Sequence, residues 1–281
     1  MDYDPTKAAL LHPDRRAPLG ADLPWNRDAV LAECARLAYF GFERDAAAAA
    51  TLRAALARFG YGDFTGFTAA GADPRFDAQV YATPSPEHGA LIAFRGTQPD
   101  SIGDLFADAN FLSADWPGPG KVHRGFWKSL VEVLAGLEGW LAVAAPARLA
   151  VTGHSLGAAH ATLFAALHPQ AELVSFGSPL VGDDDFAASF AGRRVRRFVD
   201  CLDLVTRVPP LLYRHLDGLH AIDHRGVVHP GGLAAPLADR AEATLAYLSL
   251  ALDPQNCPTR DLADHAPINY VSALLGIRTG P

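Results

Sequence analysis

The hydrophobic and polar positions of this chain change period most sharply between residues 149 and 167. Leu149-Ala150-Val151-Thr152 is a short apolar run typical of a buried strand, and apolar residues recur at helical spacing from 158 to 167. The sequence Gly153-His154-Ser155-Leu156-Gly157 separates the two patterns. The pattern therefore predicts a strand, a sharp turn that carries Ser155, and a helix.

Strand and helix patterns alternate along the rest of the chain. Strands are predicted over 76–83, 90–94, 172–176 and 195–199, with a small hairpin over 220–229. Helical patterns cover 26–59, 103–110, 125–143, 186–190, 237–252 and 267–275, and 254–264 is expected to be irregular. Strands that alternate with helices and return to one sheet predict an α/β fold, with a mainly parallel central sheet covered by helices on both faces.

Length and composition fit a single globular domain. The chain has 281 residues, of which 49% are hydrophobic and 20% are charged, so it can bury a large core. No internal repeat, low-complexity tail or linker divides it. We therefore expect residues 1–281 to form one domain, with residues 1–60 as an N-terminal helical extension packed on it.

The charge distribution argues against nucleic acid as a partner. The formal net charge is −7, and no basic block appears. Arg193, Arg194, Arg196 and Arg197 cluster, but apolar residues lie among them, which indicates the solvated edge of a strand.

The cysteines and the first residues bear on the cellular compartment. Cys34, Cys201 and Cys257 lie far apart and form neither a metal-ligand spacing nor an even disulfide framework. Residues 1–20 lack an apolar core behind a basic start, so no secretory signal is predicted. A cytoplasmic location is the default expectation, although a secreted chain whose signal had been removed would look the same.

Ser155 is the candidate nucleophile. The flanking Gly153 and Gly157 allow a tight turn that projects the hydroxyl out of the sheet. The Leu156 N–H, at the start of the helix, points toward any negative charge that forms beside the serine. A second oxyanion donor is expected after an earlier strand, and Thr97, which follows the strand at 90–94, meets that requirement.

A serine hydroxyl needs a base and an orienting acid, which in α/β-hydrolase sheets follow it in the order acid, then histidine. Asp203 and Asp200 follow the strand at 195–199, and position favours Asp203 but leaves Asp200 open. Residues 183–185 are aspartates at a predicted helix start, where carboxylates cap N–H groups.

His265 is the candidate base, because it stands in a late loop just before the last helix. Such a loop can fold back over the ends of the strands. The remaining histidines are expected to serve packing, turn or surface roles: His154, His160, His168, His215, His220, His224 and His229.

Six ordered stretches resemble the class 3, fungal-type, lipase family of α/β hydrolases. They are IAFRGT at 92–97, VHRGF at 122–126, VTGHSLGA at 151–158, FGSPLVG at 176–182, DLVTRVPP at 203–210, and the closing pair His265 and Tyr270. Thr206 stands where the family usually has proline, and residues 1–85 contain no matching motif. The ordered matches select Asp203 over Asp200 and favour His265.

The resemblance implies an α/β-hydrolase fold and the hydrolysis of carboxylic esters, typically acylglycerols, without a metal or an organic cofactor. Ser155 would attack the carbonyl, His265 would take its proton, and Asp203 would hold the imidazolium. Leu156 and Thr97 would hold the oxyanion. The implied partner is a small acyl ester or lipid, with the lipid–water interface as a further candidate.

One departure concerns the substrate. In interfacial lipases a lid helix follows the oxyanion strand, whereas residues 111–121 are short and rich in Pro and Gly, a poor amphipathic helix. The hypothesis is therefore an esterase or weak lipase that acts on soluble or short-chain esters.

Three alternatives remain open at this point. A phospholipase or lysophospholipase would keep the same triad, as would a polyester hydrolase. The fold also serves catalytically inactive binding proteins, but these usually lose a triad residue, and no triad residue is missing here.

Overall fold

The computed structural model describes residues 1–69, 78–96, 112–209, 212–232 and 236–280. The helix predicted over 103–110 lies outside these ranges, and so does Thr97.

Eight strands of the described chain form one sheet, in the order β1-β2-β3-β6-β7-β8-β9-β10. Their bounds are β1 Thr65–Thr68, β2 Gln79–Ser85, β3 Gly89–Phe94, β6 Leu149–His154, β7 Glu172–Phe176, β8 Val195–Asp200, β9 Leu219–Ile222 and β10 Val228–Pro230. Strands β3, β6, β7, β8 and β9 are parallel neighbours, while β1, β2 and β10 pair antiparallel at the two edges. Two short strands, β4 Ser113–Ala114 and β5 Val122–His123, pair with each other. The mainly parallel sheet is the one that the sequence predicted.

Helices cover both faces of this sheet. Their bounds are α1 Lys7–Leu11, α2 Arg27–Leu37, α3 Ala46–Arg58, α4 Arg124–Ala144, α5 Leu156–Leu167, α6 Asp184–Ala188, α7 Leu237–Tyr247, α8 Arg260–Ala263 and α9 Pro267–Leu274. Helices α2 and α9 pack against each other, and α2 also packs on β6, in a core that includes Leu31, Phe176 and Val271. Helix α5 packs on β3, β6 and β7 in the other core, with α4 beside it. The α/β fold with two covered faces is therefore confirmed.

The N-terminal helical pattern divides into two helices rather than continuing from 26 to 59. The Asn26 side chain accepts a hydrogen bond from the Ala29 N–H and starts α2. The Asp45 side chain accepts from the Ala47 N–H and starts α3. Because a capping aspartate favours a helix start over a helix interior, residues 38–45 form a connection. The stretch at 254–264, expected to be irregular, contains the short helix α8.

The arginine cluster is not uniformly solvated. Arg196 is part-buried and pairs with Asp28 and Glu172. Arg197 is buried, and its Nε donates to the Leu216 carbonyl at 2.7 Å. The prediction of a solvated strand edge is therefore wrong for Arg197, whose guanidinium ties β8 to the loop before β9.

Across the described ranges, no helix is both long enough and apolar enough to cross a membrane.

Candidate active site

Ser155 lies at the turn between β6 and α5, as the sequence predicted. Its backbone has φ 60° and ψ −130°, a conformation that residues with a side chain rarely adopt. The turn is held by hydrogen bonds from the Ser155 N–H to the Phe176 carbonyl, at 3.0 Å, and from the Ala158 N–H to the Ser155 carbonyl, at 2.9 Å. The strain therefore occurs at the residue whose hydroxyl must leave the plane of the sheet.

The two glycines around Ser155 are required by close backbone packing. A Cβ on Gly153 would lie 2.3 Å from the Gly157 carbonyl oxygen, and a Cβ on Gly157 would lie 2.2 Å from the Phe94 carbonyl oxygen. Any side chain at either position would push the start of α5 away from β6 or from the end of β3. The glycines thus allow the nucleophile turn and the end of β3 to approach each other.

Ser155, His265 and Asp203 form a continuous chain of hydrogen bonds. The His265 Nε2 lies 2.8 Å from the Ser155 Oγ, and the His265 Nδ1 lies 2.8 Å from Asp203 Oδ2 and 3.0 Å from Oδ1. All three residues are buried, with at most 2% of each exposed. A carboxylate only accepts hydrogen bonds, so the Nδ1 carries a proton and a neutral imidazole leaves Nε2 free to accept the serine proton.

The Asp203 carboxylate is fixed by donors besides His265. The Tyr270 hydroxyl donates to Oδ2 at 2.5 Å, and the Val205 N–H donates to Oδ1 at 2.9 Å. Burial, followed by the Asp203 charge, raises the pKa of Tyr270 well above its usual value, so this hydroxyl stays protonated and donates. Gly177 adopts φ 56°, and a Cβ there would lie 2.8 Å from Asp203 Oδ2 and 3.0 Å from His265 Nδ1. Gly177 therefore leaves room for the acid–base pair.

Asp200, the alternative acid, faces a different partner. Its carboxylate accepts a hydrogen bond from the Arg278 Nη1 at 2.6 Å, and both side chains are buried. The aspartates at 183–185 lie at the start of α6, where the Asp183 side chain accepts from the Phe186 N–H at 3.0 Å. The capping role predicted for them is observed for Asp183.

The structure does not bring the other late histidines to Ser155. His215 bonds to the Thr206 carbonyl and His220 to the Gly218 carbonyl, whereas His224 pairs with Asp239 and His229 with Asp223. Of the histidines after Asp203, it is His265 that forms the hydrogen bond with the nucleophile.

Leu156 is the first residue of α5, so its N–H has no acceptor within the helix and can donate to an anion beside Ser155. The second predicted donor, Thr97, lies outside the described residues. The described chain after β3 ends at Gly96. A Cβ added to Gly96 would lie 2.7 Å from the His154 carbonyl oxygen. The chain segment that leads to Thr97 is therefore in contact with the nucleophile turn.

Sequence reasoning missed a contact between the N-terminal region and the site. The His154 ring, expected to serve packing, contacts the Tyr39 hydroxyl through Nδ1 at 2.8 Å and the His265 carbonyl through Nε2 at 2.8 Å. No pattern around Tyr39 marks it, since it follows α2 as one aromatic among several.

Among the described residues, no three His, Cys, Asp or Glu side chains lie close enough together to hold a metal ion. The Ser155 hydroxyl lies within hydrogen-bond distance of the His265 imidazole.

Comparison with known proteins gives a family match and several relatives. A family model described as "Lipase (class 3)" matches residues 91–213. A lipase from Rhizomucor miehei is 30% identical over 218 residues, which are 72% of this chain and 56% of that protein. A secreted mono- and diacylglycerol lipase from Fusarium solani is 36% identical over 115 residues, 36% of this chain and 34% of that protein. The chain thus spans about half or less of the length of these curated relatives.

A solved triacylglycerol lipase, described as having a catalytic centre formed by a serine protease triad, is 25% identical with a TM-score of 0.53. The similarity covers 72% of this chain and 77% of that structure. The matched family, the two relatives and the solved structure are all described as lipases. Residues 91–213 of this chain therefore match the class 3 lipase family of α/β hydrolases.

Proposed function

We propose that the chain is a serine hydrolase of carboxylic esters, a lipase or esterase that acts on acylglycerols or other acyl esters. The observation that carries the proposal is the buried Ser155–His265–Asp203 chain of hydrogen bonds, with 2.8 Å on each side of the imidazole. Its order along the sequence, serine, then acid, then histidine, is that of α/β hydrolases.

The proposed reaction follows from these contacts. The Ser155 Oγ attacks the ester carbonyl while the His265 Nε2 takes its proton, and Asp203 stabilises the imidazolium that results. The Leu156 N–H, with Thr97 as the second proposed donor, stabilises the oxyanion. The imidazolium gives its proton to the departing alcohol, which leaves an acyl-serine ester. Water, deprotonated by His265, then attacks the acyl group and releases the acid and the free serine.

The relatives support this chemistry. The solved triacylglycerol lipase is described as having a serine protease triad at its catalytic centre, and the Fusarium relative is named as a mono- and diacylglycerol lipase. We infer the same class of substrate, an acyl ester of glycerol or another alcohol, for this chain.

The experiment that tests the proposal is hydrolysis of p-nitrophenyl esters, from acetate to palmitate, by the wild type and by Ser155→Ala with matched circular dichroism. We expect the variant to lose about a thousandfold or more of kcat, because the nucleophile is absent. Equal activity in the two proteins, or no turnover of any ester by the wild type, would contradict the proposal.

We further propose that the preferred esters are soluble or short-chain. The described segment before α4 has no helix between Leu112 and Lys121; instead, β4 pairs with β5, and the Trp116 ring packs against Trp127 and Phe186. This packing immobilises the largest apolar side chain of the segment. We expect activity to rise smoothly with the concentration of a long-chain triacylglycerol, and a jump in activity above its solubility limit would refute this preference.

The domain organisation is also a proposal. Helix α2 packs on β6 and α9, and the Asp4 N–H donates to Asn269 Oδ1 at 2.9 Å. These contacts support residues 1–60 as part of one domain with the sheet. We expect deletion of residues 1–60 to yield an insoluble or unfolded protein; a soluble, active remainder would contradict a single domain.

A cytoplasmic location remains our proposal for the compartment. Cys34, Cys201 and Cys257 are all free and buried, as is common for proteins kept in a reducing environment. Fractionation of the source cells with an antibody against the chain tests it, and recovery from the medium alone would contradict it.

A further inference from the structure

Tyr39, His154 and the backbone of His265 form a hydrogen-bonded line behind the proposed catalytic imidazole. The Tyr39 Oη lies 2.8 Å from His154 Nδ1, and His154 Nε2 lies 2.8 Å from the His265 carbonyl oxygen. The His154 and His265 rings lie 4.6 Å apart, centre to centre, and His154 is 2% exposed. The line is thus in direct contact with both the backbone and the ring of His265.

The His265 carbonyl determines the direction of both hydrogen bonds in this line. The His265 carbonyl can only accept, so His154 Nε2 carries the proton. Burial, followed by the proximity of His265, lowers the pKa of His154 well below its usual value, so the ring is neutral and Nδ1 has no proton. Nδ1 therefore accepts, and the Tyr39 hydroxyl is the donor. A neutral imidazole in this position has a single tautomer.

Tyr39 is itself held by the end of β3. A Cβ on Gly96 would lie 2.0 Å from the Tyr39 Oη, so the hydroxyl occupies the space beside this glycine. Burial raises the pKa of the Tyr39 hydroxyl above its usual value, so this group stays protonated and can donate. The neighbouring backbone is fixed by Gln79 of β2, whose Nε2 donates to the Phe40 carbonyl at 3.1 Å. Tyr39 thus has a rigid support on the sheet.

We propose that Tyr39 and His154 are positioning residues that fix His265 for proton transfer from Ser155. They hold the His265 backbone at a distance from β3 that lets one imidazole meet Ser155 and Asp203 at the same time. This inference rests on the proposed function and deepens it, because it gives the N-terminal region, which carries no family motif, a role in the catalytic site.

The test is steady-state hydrolysis of p-nitrophenyl butyrate by Tyr39→Phe, with Tyr81→Phe as the matched control. Tyr81 is a buried tyrosine whose hydroxyl donates to the Cys34 carbonyl of α2 at 2.9 Å, away from His265. Each variant loses one tyrosine hydroxyl that links the N-terminal region to the rest of the chain. We expect Tyr39→Phe to lower kcat about tenfold with KM within about twofold, and Tyr81→Phe to leave kcat within about twofold.

Two substitutions of His154 keep the proposal testable if Tyr39→Phe folds poorly. The Nε2 of a glutamine reaches the position of the imidazole Nε2 and can still donate to the His265 carbonyl, whereas an asparagine is too short to do so. We therefore expect His154→Gln to retain at least about tenfold more kcat than His154→Asn. A purely structural role would not rank the two variants in this order at equal thermal stability.

The results distinguish a failure of the positioning role from a failure of the proposed function. If the wild type hydrolyses esters and Tyr39→Phe keeps its kcat, or if His154→Asn matches His154→Gln, the positioning role is wrong and the proposed function stands. If the wild type hydrolyses no ester, the proposed function falls, and the positioning role falls with it.

Discussion

At the scale of single residues, Asp200 and Asp203 differ in the groups that their carboxylates contact. Both carboxylates are buried at the end of β8. Asp200 pairs with the Arg278 guanidinium. The Asp203 carboxylate accepts hydrogen bonds from the His265 Nδ1, the Tyr270 hydroxyl and the Val205 N–H. Asp203 is therefore held where its charge would stabilise the His265 imidazolium of the proposed mechanism, whereas Asp200 is paired with Arg278 near the C-terminus.

Removal of the Tyr270 hydroxyl tests whether the orientation of Asp203 matters for turnover. Tyr270→Phe removes one of the two donors to Asp203 Oδ2, and His265 Nδ1 remains as the other. It also leaves the Asp200 N–H, which donates to the same hydroxyl at 3.1 Å, without that acceptor. We expect kcat for a soluble ester to fall about tenfold and the unfolding free energy to fall by about 1–3 kcal/mol.

The control for Tyr270→Phe is Tyr247→Phe. The Tyr247 hydroxyl donates to the Cys257 carbonyl at 2.8 Å and touches no residue of the proposed triad. We expect this variant to lose stability without loss of kcat. An equal effect of the two substitutions on kcat would show that Tyr270 acts only through stability.

At the scale of elements, the site depends on how closely α5 approaches β3 and β6. The strained Ser155 turn exists because Gly153 and Gly157 allow backbone atoms to approach at distances that a Cβ would forbid. The helix then places its first free N–H at the site, and the strand places Ser155 at the carboxyl edge of the sheet, where α/β proteins bind their ligands.

A pair of glycine substitutions tests this dependence. Gly157→Ala would place a methyl group 2.2 Å from the Phe94 carbonyl oxygen, so we expect a loss of about 1–3 kcal/mol or more in the unfolding free energy, together with loss of ester hydrolysis. Gly139, in the middle of α4, has no atom within 4 Å of its Cβ position, so Gly139→Ala should stabilise the protein by about 0.5–1 kcal/mol. Urea denaturation measures both changes, and a stable, active Gly157→Ala would contradict the packing argument.

At the scale of the whole molecule, buried histidines, among them His160 and His123, couple stability to pH. Burial, followed by the Arg95 charge, lowers the pKa of His160 from 6.5 to about 3, and burial, followed by the Arg124 charge, lowers that of His123 to about 4. The unfolded chain therefore binds these protons below about pH 6.5 while the folded chain does not. The stability they contribute is fully present above pH 6.5 and is lost as the pH falls through their folded pKa values.

Substitution of His160 tests this coupling. His160 contacts Ser129 through Nε2, and its Nδ1 has no hydrogen-bond partner in the described part of the chain. We expect the unfolding free energy of the wild type to fall between pH 6 and 4.5, and His160→Leu to reduce that slope by about 1.4 kcal/mol per pH unit, the value for one proton. Urea titrations at several pH values measure it, and identical slopes for the two proteins would refute the assignment.

Both ends of the described chain contact the loops that carry the proposed acid and base. The Tyr3 hydroxyl donates to Asp264 Oδ1 at 2.7 Å, next to His265, and the Arg278 Nη1 donates to Asp200 at 2.6 Å. Both ends of the described chain therefore contact residues that adjoin the proposed acid and base. Neither contact follows from a local pattern, because each depends on how helices and loops pack around the sheet.

The sequence by itself determined the features that a few neighbouring residues encode. Alternation and helical spacing gave most of the strands and helices, and the glycines around Ser155 gave the turn, because propensity and steric limits act locally. The Asn26 cap of α2 is local in the same way. The break at 38–45 was not predicted, and it is followed by the Asp45 cap that starts α3. The order of motifs pointed to Asp203 and His265 without showing that they meet.

The tertiary structure decided which distant groups touch. The hydrogen bonds of His265 join it to Ser155, 110 positions away in the sequence, and to Asp203, 62 positions away. The Tyr39–His154 contact spans 115 positions. Nothing local distinguishes Tyr39 from other aromatics until the strands are ordered and the loops close over their carboxyl ends. Contacts of this kind arise from packing that many residues fix together, so they become visible only in the folded chain.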